Sequence, residues 1–401
     1  MQTRIHPKYQ GRADVQEAEE ILRACVHCGF CTATCPTYQE LGDERDGPRG
    51  RIYLIKQLLE TGEITEASQT HLDRCLTCRS CETTCPSGVR YGALADIGRG
   101  IMEEQLPRPV LARITRWALR KLLPFPGRFG ALLRLGQLFR PLMPTSLKAK
   151  VPPRQRKAPW PASAHPRRML TLAGCVQAAA TPNTNAAAAR VLDRLGISLA
   201  EAPDAGCCGA ATYHLAAHEE GLNFMRRNID AWWPAIETGA EAIVISASGC
   251  GATVKEYGHL LRHDPVYAEK AARVSALTRD LSEVLLAEDL SVLGPASQPK
   301  TAVHCPCTLQ HALKLQGAVE TVLRRAGVEL ARTMDNHLCC GSAGTYSILQ
   351  PELSRKLLDN KLQALTGDGP EQIVTANIGC QLHLESKAAI PVRHWIELLD
   401  G

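Results

Sequence analysis

Two stretches of the sequence decide the fold of the N-terminal part: CVHCGFCTATCP at residues 25–36 and CLTCRSCETTCP at residues 75–86. Both have the spacing C-x2-C-x2-C-x3-C followed by proline, which is typical of [4Fe–4S] clusters in bacterial ferredoxins. Three closely spaced thiolates wrap one face of a cubane, and the fourth binds the other cluster when two are present. The spacing therefore predicts two clusters, one held by Cys25, Cys28, Cys31 and Cys85, the other by Cys75, Cys78, Cys81 and Cys35.

Zinc is the alternative for cysteine pairs of this kind. Structural zinc sites close with four ligands, commonly two C-x2-C pairs separated by a loop. A triplet followed by a displaced fourth cysteine, present twice, suits zinc poorly. Neither predicted cluster has an open coordination position, so this region is predicted to carry electrons, and no catalytic residue is assigned to it.

Composition limits the classes of protein to consider. The chain has 401 residues, of which 45% are hydrophobic and 22% charged, as in an ordinary soluble protein of two or three domains. The first residues hold no apolar run of the signal-peptide type, and no segment approaches the roughly 18 apolar residues that span a bilayer. We therefore expect a cytoplasmic protein, with any membrane contact peripheral, on the cytoplasmic face of the inner membrane. Seventeen cysteines in that reducing compartment indicate metal or redox chemistry rather than disulfides.

Basic charge is concentrated between the two halves of the chain. Residues 106–168 hold 15 Lys or Arg, no Asp or Glu, and 11 of the 25 prolines, while the rest of the chain has 31 basic against 41 acidic residues. This segment is interpreted as a connector with a basic amphipathic helix at Val110–Leu123. It is either a solvated linker or a docking surface for an acidic partner or an anionic membrane face. The scarcity of aromatic residues and the absence of a recognised binding module argue against a nucleic-acid partner.

The second half contains an internal repeat. A single cysteine is followed 32 residues later by Cys-Cys-Gly in both copies, and a further cysteine ends a hydrophobic segment in each. Strands are predicted at MLTL, ISLA and EAIVISA in the first copy and at TAVH, VELA and QIVTA in the second, with helices between them. Alternating strands and helices predict a parallel sheet, and such a sheet gathers the cysteine loops at its carboxyl edge.

Each copy resembles the CCG domain family, which is shared by heterodisulfide reductase catalytic subunits, anaerobic glycerol-3-phosphate dehydrogenase subunits and lactate-utilisation iron–sulfur proteins. The family pattern ends in C-x2-C, and this chain departs from it at Thr253 and His383. The resemblance implies candidates for a further metal or redox site, and the second copy is favoured because His383 offers an extra ligand. These candidates are Cys175, Cys207, Cys208, Cys250, Cys307, Cys339, Cys340, Cys380 and His383.

The order of parts, with stretches such as DGPRGRIYLIKQ, HCPCTLQHA and HLCCGSAGTYS, resembles the family of iron–sulfur subunits of bacterial glycolate oxidase. The resemblance implies an electron-transfer subunit of a glycolate dehydrogenase complex, in which separate flavin-binding subunits oxidise glycolate to glyoxylate and electrons pass toward a quinone. In agreement, the chain has no GxGxxG after a strand and no evident acid–base pair, so no flavin is expected in it. The alternatives are an iron–sulfur subunit of a related lactate or glycerol-3-phosphate dehydrogenase, or a disulfide reductase of the CCG type.

The predicted fold class is α+β multidomain. It comprises a helical ferredoxin-like domain for two [4Fe–4S] clusters at residues 1–104 and a basic, proline-rich linker at 105–168. Two duplicated α/β CCG domains with short parallel sheets are predicted at residues 169–290 and 300–401.

Overall fold

The computed structural model describes residues 1–294 and 298–400. The final residue of the predicted second CCG domain, Gly401, and residues 295–297 between the two predicted CCG domains lie outside the described residues. Contacts within the chain define two units: residues 1–117 together with 337–359, and residues 118–336 together with 360–400. The domain boundaries predicted from the sequence stay a prediction.

The first unit is helical. Proline opens two of its helices, at Pro36 and Pro48, where the missing N–H costs no hydrogen bond. The N-terminal helices and the predicted connector helix are α1 Ala13–Ala24, α2 Pro36–Leu41, α3 Pro48–Thr61, α4 Glu66–Asp73, α5 Ser80–Thr84, α6 Tyr91–Gln105 and α7 Val110–Leu122. A core of buried residues such as Ile21, Ile55 and Leu94 joins α1, α3 and α6 and holds the two cysteine loops between them.

The second unit contains two parallel sheets. The first has strands β1 Arg167–Thr171, β2 Ile197–Glu201, β3 Ile243–Ile245 and β4 Thr278–Asp280, in the order β2-β1-β3-β4. The second has β5 Thr301–His304, β6 Gln372–Thr375 and β7 Val392–His394, in the order β5-β6-β7. Every neighbouring pair is parallel. The predicted fold class, a helical N-terminal part followed by two α/β repeats with short parallel sheets, is confirmed.

One predicted strand is wrong. The VELA stretch, residues 328–331, forms only an isolated bridge from Leu330 to Thr301. Two backbone hydrogen bonds tie it to Thr301, one from the Thr301 N–H to Glu329 and one from the Ala331 N–H to Thr301. Val328 and Ala331 are buried, Leu330 is half-buried and Glu329 is exposed, so the burial of the side chains does not alternate as it would in a strand.

The remaining helices belong to the second unit, except for α19 and the first part of α20, which lie in the 337–359 segment of the first unit. They are α8 Pro126–Phe139, α9 Thr145–Lys148, α10 Val176–Ala180, α11 Asn183–Arg194, α12 Ala210–Tyr213, α13 His218–Glu237, α14 Ser248–Lys255, α15 Tyr257–Leu260, α16 Ala268–Leu277, α17 Leu281–Ala287, α18 Ala318–Arg325, α19 Tyr346–Leu349, α20 Pro351–Thr366 and α21 Ile378–Glu385. Buried residues from both sheets, among them Val244, Val303 and Trp395, form one shared core.

The basic segment is only partly a solvated linker. Arg108 is 8% exposed and forms ion pairs with Asp73 and Glu103 in the first unit. In the second unit, Lys121 lies 2.8 Å from the Glu220 carboxylate. Among the described residues, no helix is both long enough and apolar enough to cross a membrane.

Candidate metal centres

The four cysteines predicted for the first cluster line one cavity. Cys25 follows the end of α1 and is buried, Cys28 lies on an exposed loop, Cys31 lies in a 3-10 turn and Cys85 follows the end of α5. Burial and the neighbouring thiols Cys25 and Cys28 raise the pKa of Cys31 to about 11. Thiolates crowded in this way favour a bound cation, because a metal removes the repulsion that opposes their ionisation.

The two cysteine loops have the same backbone conformation. In each, the second and fourth residues after the first cysteine are left-handed: His27 (φ 56°) and Gly29 (φ 85°) in one, Thr77 (φ 52°) and Arg79 (φ 62°) in the other. Left-handed residues at alternate positions curl a short loop around one point and turn its N–H groups inward, as in anion-binding nests. The duplication seen in the sequence is therefore also a duplication of geometry.

The second predicted set is more deeply buried than the first. Cys35, Cys75 and Cys81 are buried and Cys78 is half-buried. Burial raises the pKa of Cys81 well above its usual value, and the charges of Cys78, Cys75 and Cys35 add to this effect. All four thiols are thus close enough to interact electrostatically, which is a requirement for binding one cluster together.

Positive charge surrounds Cys75. Burial alone would raise the pKa of this thiol, yet the Arg51 and Arg99 guanidiniums lower it below its usual value. Arg99 donates to the Cys75 carbonyl at 2.6 Å, and the Thr77 N–H donates to the Cys75 sulfur at 3.4 Å. The buried Tyr91 hydroxyl also faces this thiol. Arg51 and Tyr91 were not among the residues singled out from the sequence, since neither belongs to a recognisable motif.

The glycine of each Cys-Cys-Gly motif is required by the backbone. Gly209 has φ +91° and Gly341 has φ +88°, and both lie against the first turns of a following helix. A Cβ atom would come within 2.7 Å of the Gly221 carbonyl oxygen in the first copy and 2.6 Å of that of Ser354 in the second. In both copies the glycine N–H donates to the sulfur of the first cysteine, so the glycine fixes the direction of that thiol.

The first repeat brings four thiols into contact. Hydrogen bonds link the thiol of Cys207 to those of Cys175 and Cys208, and the thiol of Cys208 to that of Cys250. The bond with Cys175 lowers the pKa of Cys207, but the bond with Cys208 and burial outweigh it and raise the pKa to about 12. Thr253, at the family's last cysteine position, donates instead to the Gly249 carbonyl within α14, at 3.0 Å. A set of four thiols fits zinc or an iron–sulfur cluster.

The candidates of the second repeat are divided between the two units. Cys307, Cys380 and His383 belong to the second unit, whereas Cys339 and Cys340 belong to the first. Within the first unit, the hydroxyl of Tyr346, the first residue of α19, donates to the Arg74 carbonyl at 3.0 Å. The loop that carries Cys339 and Cys340 is therefore anchored to the residue that precedes Cys75.

Sequence reasoning missed His304. It ends β5, is fully buried, and donates or accepts through Nδ1 with the Thr375 hydroxyl at 3.0 Å, while Nε2 has no partner among the described residues. A ring nitrogen of His304 and the sulfur of Cys380 lie within 4.8 Å of each other. The sequence did contain a signal for this residue. When the two repeats are aligned on Cys175 and Cys307, the polar His304 stands where the first repeat has the apolar Leu172.

Known protein families match both the N-terminal and the C-terminal regions of the chain. The chain matches the "4Fe-4S dicluster domain" family at residues 21–89 and the "Cysteine-rich domain" family at residues 169–255 and 301–385. It is 59% identical to the glycolate oxidase iron-sulfur subunit of Escherichia coli over 401 residues, covering 100% of this chain and 98% of that protein. It is 31% identical to the probable glycolate oxidase iron-sulfur subunit of Bacillus subtilis, covering 95% of this chain and 91% of that protein. It is 28% identical to lactate utilization protein A of Bacillus licheniformis, covering 55% of this chain and 93% of that protein.

Proposed function

Since the chain belongs to the family of glycolate oxidase iron–sulfur subunits, we propose that it carries electrons from flavin-binding subunits that oxidise glycolate to glyoxylate toward a quinone-type acceptor. The observation that carries the proposal is the pair of matching cysteine loops, which share their cysteine spacing and have left-handed residues at the same two positions. Oxidation of a hydroxy acid releases two electrons, which a flavin accepts together, whereas [4Fe–4S] clusters pass them on singly.

The proposed ligands follow the ferredoxin pattern. Cys25, Cys28, Cys31 and Cys85 would hold one [4Fe–4S] cluster, and Cys75, Cys78, Cys81 and Cys35 the other. The common cavity of the first set and the mutual influence of the thiols in the second support this assignment. The fold distinguishes the two sets by burial, because three thiols of the second set are buried whereas Cys28 of the first set is exposed.

The exposed first set is the proposed entry point for electrons. Val26 is 68% exposed and Phe30 is 60% exposed, and they flank Cys28 on the same loop. Such exposure of large apolar side chains beside a cofactor loop is typical of a protein interface. We propose that the flavin-binding subunit covers this loop, because Cys28 is exposed whereas the other seven predicted cluster ligands are buried or half-buried.

A further metal or redox centre is proposed for the CCG repeats. The four contacting thiols of the first repeat are its main support, and His304 with Cys380 adds a nitrogen and a sulfur ligand in the second. A disulfide reductase of the CCG type remains the second candidate function. Thr253 counts against it, since its hydroxyl is used within α14 where the family has a cysteine.

The basic segment is proposed to meet an anionic membrane face near the quinone pool. Exposed apolar residues of α7, namely Val110, Leu111, Ile114 and Trp117, accompany its arginines. Apolar and basic side chains together, with no acidic residue between 106 and 168, are the features of helices that bind anionic lipid surfaces. Co-sedimentation with vesicles of phosphatidylglycerol but not of phosphatidylcholine is expected, and equal binding to both or to neither would contradict this role.

The test of the main proposal is anaerobic co-purification with the flavin-binding subunits, followed by iron, zinc and flavin analysis and by quinone reduction with glycolate, lactate and glycerol-3-phosphate. We expect about eight irons or more per chain, flavin only in the partners, and glycolate as the preferred donor. Cys28→Ser should abolish quinone reduction while the partners still oxidise glycolate with an artificial acceptor. A zinc-loaded, iron-free chain would overturn the proposal, and preference for lactate would move it to the related dehydrogenase.

A further inference from the structure

A buried cationic group lies beside the second cysteine set. The Arg51 side chain is 1% exposed, and its three nitrogens reach the His71 carbonyl at 2.8 Å, the Thr37 hydroxyl at 3.1 Å and the Asp46 carboxylate at 3.5 Å. Asp46 is equally buried, and its second oxygen pairs with Arg74 at 2.9 Å. Two guanidiniums thus share one carboxylate, so the group carries a surplus of positive charge whatever the state of His71.

This group is linked to a predicted cluster ligand through the Thr37 hydroxyl. The Cys35 sulfur lies 3.3 Å from the Thr37 hydroxyl, which itself accepts from Arg51, and 3.8 Å from the Asp46 carbonyl oxygen. Arg74 precedes Cys75 in the chain. The Arg51 guanidinium also acts on the Cys75 thiol and lowers its pKa. Two of the four proposed ligands of the second cluster, Cys35 and Cys75, are thus influenced by the cationic group.

Among the described residues, the first cysteine set has no buried guanidinium of this kind beside it. The half-buried Met1 ammonium donates to the Cys25 carbonyl at 3.1 Å. Arg49 approaches its loop, but Arg49 forms a 2.7 Å ion pair with Glu44 in which both side chains are more than a third exposed. The charges of this pair offset each other and are screened by water. The two sets thus differ in how deeply the cysteines and the charged groups beside them are buried.

We propose that the second set, Cys35, Cys75, Cys78 and Cys81, holds the cluster of higher reduction potential, and that Arg51 and Arg74 raise that potential. This rests on the proposed function, since it requires both clusters. Reduction adds one negative charge, which a buried positive charge stabilises strongly because little water screens it. Electrons that enter at the exposed first set therefore come to rest at the buried second set, which fixes the direction of transfer within this unit.

The test is a redox titration of the full chain, followed by electron paramagnetic resonance under anaerobic conditions. The wild type should show two midpoint potentials. Arg51→Met should lower only the higher of the two midpoint potentials. The expected shift corresponds to at least a tenfold change in the equilibrium constant between oxidised and reduced cluster, which is about 59 mV for a one-electron couple. Asp46→Asn should raise the same potential, and the double variant should return it toward the wild-type value.

Arg49→Met is the matched control, because it makes the same substitution two residues away on α3 and should leave the upper potential unchanged. If Arg51→Met does not retain its clusters, Arg74→Gln removes a cation of the same group from a side chain that is 34% exposed, and a fall of the upper potential is again expected. Equal midpoint potentials in the wild type, or a higher potential that changes in neither Asp46→Asn nor Arg74→Gln, would overturn the inference. Absence of any cluster signal in the wild type would instead overturn the proposed function.

Discussion

Replacing Gly50 by alanine is expected to destabilise the first unit and its cysteine sites. Gly50 is the third residue of α3, and a Cβ there would lie 2.1 Å from the Glu44 carbonyl oxygen, 2.6 Å from the Glu44 carbonyl carbon and 2.8 Å from the Arg45 Cα. All three are backbone atoms, so no side chain can rotate away. The turn at Glu44–Asp46 must move away by about 1.4 Å to reach an ordinary contact distance of about 3.5 Å.

The retreat would disturb Asp46, which is the last residue of that turn. Its carbonyl oxygen accepts from the Thr37 hydroxyl at 2.7 Å, and its carboxylate holds Arg51, Arg74 and His71. Overpacking costs about 1–3 kcal/mol, and weakened hydrogen bonds to charged groups add about 1.5–3 kcal/mol. The better helix propensity of alanine offsets about 1 kcal/mol, which leaves a net loss of about 2–5 kcal/mol.

The assay is a thermal ramp at fixed scan rate under anaerobic conditions, followed by the visible absorbance of the iron–sulfur clusters, most of which is expected from the two clusters proposed for this unit. At roughly 3 °C per kcal/mol for a unit of this size, the midpoint should fall by about 6–15 °C. Gly127→Ala in α8 is the control, since a Cβ there meets nothing within 4 Å; it should leave the midpoint unchanged. A Gly50→Ala protein with full iron content and a midpoint within about 2 °C of the wild type would refute the packing argument.

Three further outcomes are expected. Burial raises the pKa of Asp280 from 3.8 to about 6; the folded state therefore holds this proton more tightly than the unfolded state, and stability falls as pH rises from about 4 to 6. The fall in unfolding free energy between pH 4 and 7, measured by urea titration of tryptophan fluorescence, should be about 2 kcal/mol smaller in Asp280→Asn, and equal falls would contradict the assigned burial. Phe30→Asp should slow electron transfer from the flavin-binding subunits without changing the iron content, and an unchanged rate in stopped-flow reduction would exclude this loop as their docking site. Trypsin should cut first after exposed residues of the connector such as Arg154 and Lys157, yet the pieces should elute together from a sizing column, because residues 337–359 belong to the first unit; separation of the pieces would argue against that unit.

Local patterns in the sequence predicted most of the elements. The helical periodicity of RGRIYLIKQLLE marked α3, which runs from Pro48 to Thr61, and the TAVH strand coincides with β5. The prediction of a strand at VELA was wrong because backbone pairing there is limited to one bridge. Strands β4 and β7 were not predicted, since a strand of three residues gives almost no periodic signal.

Site residues that belong to a sequence motif could be predicted. Residues whose role depends on being buried beside the site could not. Spacing alone suggested the eight N-terminal cysteines as ligands, and their assignment to clusters stays a prediction. Nothing in the local sequence distinguishes Arg51 from the exposed arginines around it, since charged residues are rarely buried and its partners are up to 20 residues away. Tyr346 shows the same limit, because its hydroxyl bonds to a residue 272 positions earlier in the chain.

The first unit is assembled from two stretches of chain separated by more than 200 residues. During synthesis, the N-terminal 117 residues leave the ribosome long before the loop that supplies the Tyr346 hydroxyl to Arg74 exists. A nascent N-terminal half therefore lacks part of its own packing until translation is nearly finished. An mRNA truncated after the connector would yield a half that can never be completed.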